Sequence, residues 1–256
     1  MKIKMTGSFS FRIVVLLLHF HSSLFTFHFY HKVLLHMKMI VVFEKAPRLR
    51  HIGHLDLMRA MQRALRRSGL PLKYSQGFNP HILLTFAAPL SVGMPGKREI
   101  MEVPIEGEMT GEAFREALSA ALPPDLPVIS ARPVDDRHPA PMAQLTAAIY
   151  QAELDAVPES FGETVEKYLA QTEIPAIRKT KTGMKPCDIR PMIYGLSLKG
   201  NTLTMVLALC EKATCKPDLL LSSLFEFAGT ERPRALITRT QLLGEQDGAF
   251  APLETL

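Results

Sequence analysis

The run PVDDRHPAP at 133–141 holds three prolines and three charged residues, and neither a helix nor an inner strand can pass through it. One order of elements is legible on each side. Before the run, the β-branched and aromatic segment 39–44 (MIVVFE) reads as a strand and 53–69 as a helix. Segments 70–74, 81–86 and 100–105 then read as strands, 111–122 as a helix stopped by Pro123-Pro124, and 126–132 as a strand. After the run, 147–154 is a strand, 159–170 a helix and 175–180 a strand. A hairpin over 192–199 and 203–209 turns at Gly200-Asn201, followed by a helix at 217–227 and a strand at 235–242. Both halves follow strand, helix, strands, helix, strand, so the expected fold class is α+β with two tandem ferredoxin-like (βαββαβ) units. The expected boundaries are 39–133 for the first unit, 134–145 for a linker, 146–242 for the second unit and 243–256 for a loose tail.

Residues 1–38 stand apart. They hold five of the nine histidines, six of the fourteen phenylalanines, five bases and no acid, and nothing from Ile13 to His31 is formally charged. A basic start followed by IVVLLL resembles a signal peptide or anchor. Against that, His19, His21, Ser22, Ser23 and His28 interrupt the apolar run and no A-x-A-like site follows. The favoured expectation is an extension read from upstream, with the true start at Met37 or Met39, a cytoplasmic location and no membrane association.

Charge must be read locally. The formal net charge is +5, but with the first 38 residues set aside 25 bases face 25 acids. Any polyanion site therefore has to come from clustering. The densest cluster is the predicted helix 53–69, where Leu57, Met58, Met61, Ala64 and Leu65 share one face and Asp56, Arg59, Arg63, Arg66 and Arg67 the other. From Lys45 to Lys73 eight bases (Lys45, Arg48, Arg50, Arg59, Arg63, Arg66, Arg67, Lys73) stand against Asp56 alone. A solvated helix usually mixes the signs, so this row points to a phosphate-binding surface, with an ordinary solvated face as the plain alternative. A second group, Arg178, Lys179, Lys181 and Lys185, sits on a glycine turn, and Arg232, Arg234 and Arg239 form a third. If the groups converge they make a positive groove in which Tyr74 or Phe78, flanking Gly77, can stack on a base.

Other chemistry finds less support. Cys187, Cys210 and Cys215 form no C-x-x-C pair, which fits free thiols and excludes a zinc ribbon or a three-cysteine iron–sulfur motif in this chain. Phosphate-cradling glycine loops and a G-x-S-x-G elbow are absent from the sequence. His54, Asp56 and His81 are the candidates for acid–base catalysis or for a metal, provided the loop at 75–81 folds back over the helix start; no metal site is expected. Asp56 has a simpler reading as an acid favouring the positive helix end.

The segments Phe43-Glu44-Lys45, 49–59 (LRHIGHLDLMR), 63–67 (RALRR) and 74–81 (YSQGFNPH) resemble the opening of the uncharacterised radical-SAM-associated (radical-SAM-linked) proteins. The likeness spans about 39–242, is strongest over 43–92, and is echoed by Asp188-Ile189-Arg190-Pro191 and Thr238-Arg239-Thr240. The family pattern usually has Ser where Gly53 stands, so the helix cap is weaker here. The resemblance implies a radical SAM enzyme as partner, carrying the iron–sulfur cluster and S-adenosylmethionine, with no cofactor in this chain. It also implies genes near one for a ribonuclease of the E/G type. The expected function is an accessory module presenting structured RNA to that enzyme for tRNA or rRNA modification or processing. Arg50, Arg59, Arg63, Arg66, Arg67, Lys73, Tyr74, Phe78, Arg178, Lys179, Lys181, Lys185 and Arg239 would be its RNA contacts. A protein-interaction subunit without RNA, or an RNA-acting enzyme using His54, Asp56 and His81, are the alternatives.

Overall fold

The protein is described by a computed structural model covering residues 36–180 and 183–256. The readings of the N-terminal extension up to residue 35, and Lys181, lie outside the described residues. In chain order the elements are β1 (His36–Lys45), α1 (His54–Arg67), β2 (Thr85–Phe86), β3 (Gly96–Glu106), α2 (Gly111–Ala121) and β4 (Val128–Asp135). The chain continues with α3 (Pro141–Gln144), β5 (Ala147–Leu154), α4 (Phe161–Leu169), β6 (Pro175–Thr180) and β7 (Gly183–Asp188). It ends with β8 (Ile193–Lys199), β9 (Thr202–Ala208), α5 (Pro217–Phe227), β10 (Ala235–Gln246) and β11 (Ala249–Pro252). The fold class is α+β. Among the described residues, five helices accompany a large, mostly antiparallel sheet, and none is long and apolar enough to cross a membrane.

That sheet has nine strands in the order β4-β1-β3-β10-β5-β9-β8, with β2 added to β3 and β11 to β10. In the first half β1 lies between β4 and β3, and β2 sits on the far side of β3; in the second, β5 lies between β10 and β9, with β8 beyond. All pairings within each half are antiparallel. Among the described residues the sheet's parallel pairing joins the halves, with Arg239 of β10 opposite Gly96 of β3.

Strand alternation decides what each face buries. Met39, Val41 and Phe43 of β1 pack with Met101, Val103 and Ile105 of β3 against Leu57, Met61, Ala64 and Leu65 of α1 and Phe114 and Leu118 of α2. The intervening Ile40 and Val42 join Ile100, Leu145 and Leu253 in the other cluster. The same cluster holds the second-half core, where Phe161 of α4 stacks on Phe225 of α5 at 4.8 Å. Each such side chain taken from water contributes roughly 1.5–3 kcal/mol.

Five expectations are corrected. The segment 70–74 makes only isolated bridges, Leu72 to Ile105 and Tyr74 to Ile82, and 81–86 shortens to β2. Pro71 and Pro80 withhold backbone donors there, and Gly77 at φ 128° carries the chain away from the sheet. The basic stretch 178–185, read as a strand end and glycine turn, continues past the turn into β7, which pairs with β6 as a separate hairpin. The tail at 243–256 is not loose, because β10 runs on to Gln246 and turns through Asp247 (φ 52°) and Gly248 (φ 78°) into β11. Leu253 is buried, and the Arg132 guanidinium donates to the Leu256 backbone oxygen. The linker carries α3 and buries Pro141 and Leu145.

Candidate nucleic-acid interface

Helix α1 forms as its periodicity requires, with Gly53 as an extended N-cap lacking a side-chain bond and Asp56 in the first turn. Its apolar stripe is buried, so Arg59, Arg63, Arg66 and Arg67 are all exposed. They differ in how far they are already engaged. Arg59 is paired with Asp56 at 3.1 Å, and Arg67 donates to the Ala121 carbonyl at 2.7 Å, tying α1 to the end of α2. Arg63 and Arg66 form no ion pair or hydrogen bond among the described residues. Elsewhere in the cluster, Arg50 is half-buried and donates to the Pro47 carbonyl, Arg48 stands 4.0 Å from Asp125, and Lys73 stands 3.9 Å from Asp136.

After α1 the chain makes a closed loop. The Ser75 N–H donates to the His81 carbonyl at 2.8 Å, and the His81 N–H donates to Ser75 Oγ at 3.0 Å. Ser75 Oγ is also hydrogen-bonded to His81 Nδ1 at 2.7 Å. This clasp pinches residues 75–81 into a neck whose tip holds Phe78, fully exposed, with Tyr74 partly exposed at its base. Both ends of α1 are tied to the segment carrying the loop. His54 meets the Phe86 ring edge-on at 5.3 Å, and the helix C-terminus leads through Gly69 into Leu72 on the edge of β3. Ser75 was not singled out in the sequence, although a serine and a histidine flanking a Gly-x-Asn-Pro turn are able to clasp it.

Each of the three candidate catalytic residues is engaged by a different neighbour. His81 is held by Ser75, His54 lies against Phe86, and Asp56 is engaged by Arg59. No group of three or more histidine, cysteine or carboxylate side chains able to hold a metal occurs among the described residues.

The other basic groups lie on elements of the second half. Arg178 is half-buried and donates to the Thr214 carbonyl, Lys185 is exposed across the hairpin from it, and Lys179 lies on β6 opposite Met184. That hairpin packs on α5, flanking a cleft of about 530 Å³ lined by Tyr168, Ile177, Leu219 and Phe227. Arg232 is paired with Asp218 at 2.7 Å.

Arg239 is corrected outright: it is 2% exposed and cannot touch RNA. Its Nε donates to Glu99 Oε1 at 2.9 Å, and its terminal nitrogens donate to the carboxylate and to the Ala88 and Pro89 carbonyls. Burial opposes its charge, yet the Glu99 carboxylate outweighs burial and holds the guanidinium protonated more firmly than usual. Close by, Lys45 is 1% exposed, and its Nζ donates to the carbonyls of Arg50, Ile52 and Met94. Burial lowers its affinity for a proton, with Glu99 opposing. A Cβ on Gly96 would sit 2.4 Å from Glu99 Oε1, so glycine leaves the room the carboxylate fills. These charges stitch the two halves together and hold residues 50–52 just before α1.

A family model described as an uncharacterized protein conserved in bacteria (DUF2344) matches residues 38–217. The chain belongs to this family. No curated protein matches it. The DUF2344 match contains Lys45, Glu99, the arginine face of α1 and the clasped loop, while Arg239 and the β10–β11 hairpin follow it.

Proposed function

We propose that this DUF2344 protein is an accessory RNA-binding module that works with a separate radical SAM enzyme in tRNA or rRNA modification or processing. Each half is read as a ferredoxin-like unit, a reading supported by the strand orders β4-β1-β3-β2 and β10-β5-β9-β8. The observation that carries the RNA reading is the pair of uncompensated guanidinium groups, Arg63 and Arg66, on a helix tied to a loop that offers a fully exposed aromatic ring. The radical SAM partner rests on the sequence resemblance over 43–92.

The reading is tested by the salt dependence of RNA affinity. Two phosphate contacts together contribute a slope of about 1.4 in the plot of log affinity against log salt for single-stranded RNA. The Arg63→Ala/Arg66→Ala double variant should lose that much, and an unchanged slope would remove this face from the site. One observation favours a second reading. Leu55 and Val92 are exposed near the start of the same helix, which suits docking of a partner protein. In that case association would resist nuclease and still be lost in the arginine variants.

A further inference from the structure

The clasped loop bears on which RNA the face would take. An aromatic side chain can stack on a base only where that base is not already stacked between neighbours in a duplex. Basic groups alone follow any phosphate backbone. Phe78 is the most exposed large apolar side chain described, and it is displayed by the Ser75–His81 clasp rather than by a long open loop. Gly77, at φ 128°, sets the backbone beside it in a conformation that L side chains rarely adopt. Tyr74 stands at the neck, and its backbone bridge to Ile82 joins the two sides of the loop next to the clasp. The clasp closes the base of the loop, so less backbone freedom is lost when the ring stacks, which favours binding.

Resting on the RNA reading above, we propose that the loop 75–81 is a stacking site for an unpaired nucleotide. The preferred ligand is then RNA with a loop, bulge or single-stranded end next to a backbone that lies along Arg63 and Arg66. Phe78 takes the base, and Ser75 and His81 are positioning residues that keep the ring presented.

The test compares three proteins on two RNAs by direct binding at fixed salt. The RNAs are a short stem-loop and a blunt duplex with the same stem sequence. The proteins are the wild-type chain, Phe78→Ala and Phe78→Tyr, and the substitutions lie at an exposed tip where nothing is packed. Wild type should prefer the stem-loop. Phe78→Ala should weaken stem-loop binding by about 5- to 100-fold, leave duplex binding and the salt slope unchanged, and be rescued by Phe78→Tyr. Equal binding of both RNAs with an inert Phe78→Ala would overturn the stacking site while leaving the basic face intact. Failure of the wild type to retain either RNA at low salt would sink the RNA reading itself. A nuclease-resistant protein partner released by Phe78→Ala, with neither RNA retained, would assign the loop to protein contact and overturn the proposal.

Discussion

At the scale of residues, the most consequential interaction is one that sequence patterns conceal. An arginine bound for a phosphate and an arginine bound for a buried carboxylate are the same letter, and Glu99 lies 140 positions from Arg239. Exposure separates them, and only the assembled sheet sets exposure. The buried pair makes a definite stability prediction. Arg239→Met alone leaves Glu99 buried without its ion-pair partner and should cost about 3–5 kcal/mol in chemical denaturation, as should Glu99→Met. The Glu99→Met/Arg239→Met double variant should recover part of that loss, and strict additivity of the two would argue against the pairing.

Alkaline stability offers another check at this scale. Burial pushes the Cys215 thiol from 9.0 up to about 11 and the Tyr168 phenol from 10.0 up to about 12. The folded protein therefore keeps protons that the unfolded chain has released. For Cys215, the contribution is fully present below pH 9.0 and is lost as pH rises to about 11. It amounts to roughly 2–3 kcal/mol. Unfolding midpoints measured from pH 8 upward should fall more gently across that interval in Cys215→Ala than in the wild type.

At the scale of elements, what could be read depended on how much of the pattern is local. Helix α1 was legible because Leu57, Met61, Ala64 and Leu65 recur at helical spacing and are all buried. Strand β7 was not, because GMKPCD is exposed along most of its length and carries Pro186, so no alternation marks it. The tail was missed for another reason. Asp247-Gly248 is a hairpin dipeptide, but the segment after it is short and its packing partners lie far away, on β4 and in the 139–145 region. Gly244 shows how close that approach is, since a Cβ there would lie 2.9 Å from the Gln144 carbonyl oxygen. Ending the chain after Gln246 removes the buried Leu253 and the half-buried Leu256 from the core and, by losing one to two large apolar side chains' worth of burial, should cost about 2–5 kcal/mol. Thermal unfolding of the truncated chain checks this, and an unshifted midpoint would mean the tail contributes no core.

At the scale of the whole molecule, near neutrality beyond the extension hides an uneven distribution. Several cations of the 45–73 cluster already have partners: the buried Lys45 on backbone carbonyls, and on the surface Arg59 on Asp56 and Arg67 on Ala121. Arg63 and Arg66 are exposed and unpaired among the described residues, and the loop that follows α1 displays Phe78. The central claim is that this side of the first half holds RNA, and crosslinking protein to RNA in cells, followed by mass spectrometry of the crosslinked peptides, tests it most directly. The account predicts adducts on the peptides spanning α1 and residues 74–82, with Phe78 among the modified positions. Adducts confined to the β6–β7 hairpin and α5, or none on the protein at all, would contradict it.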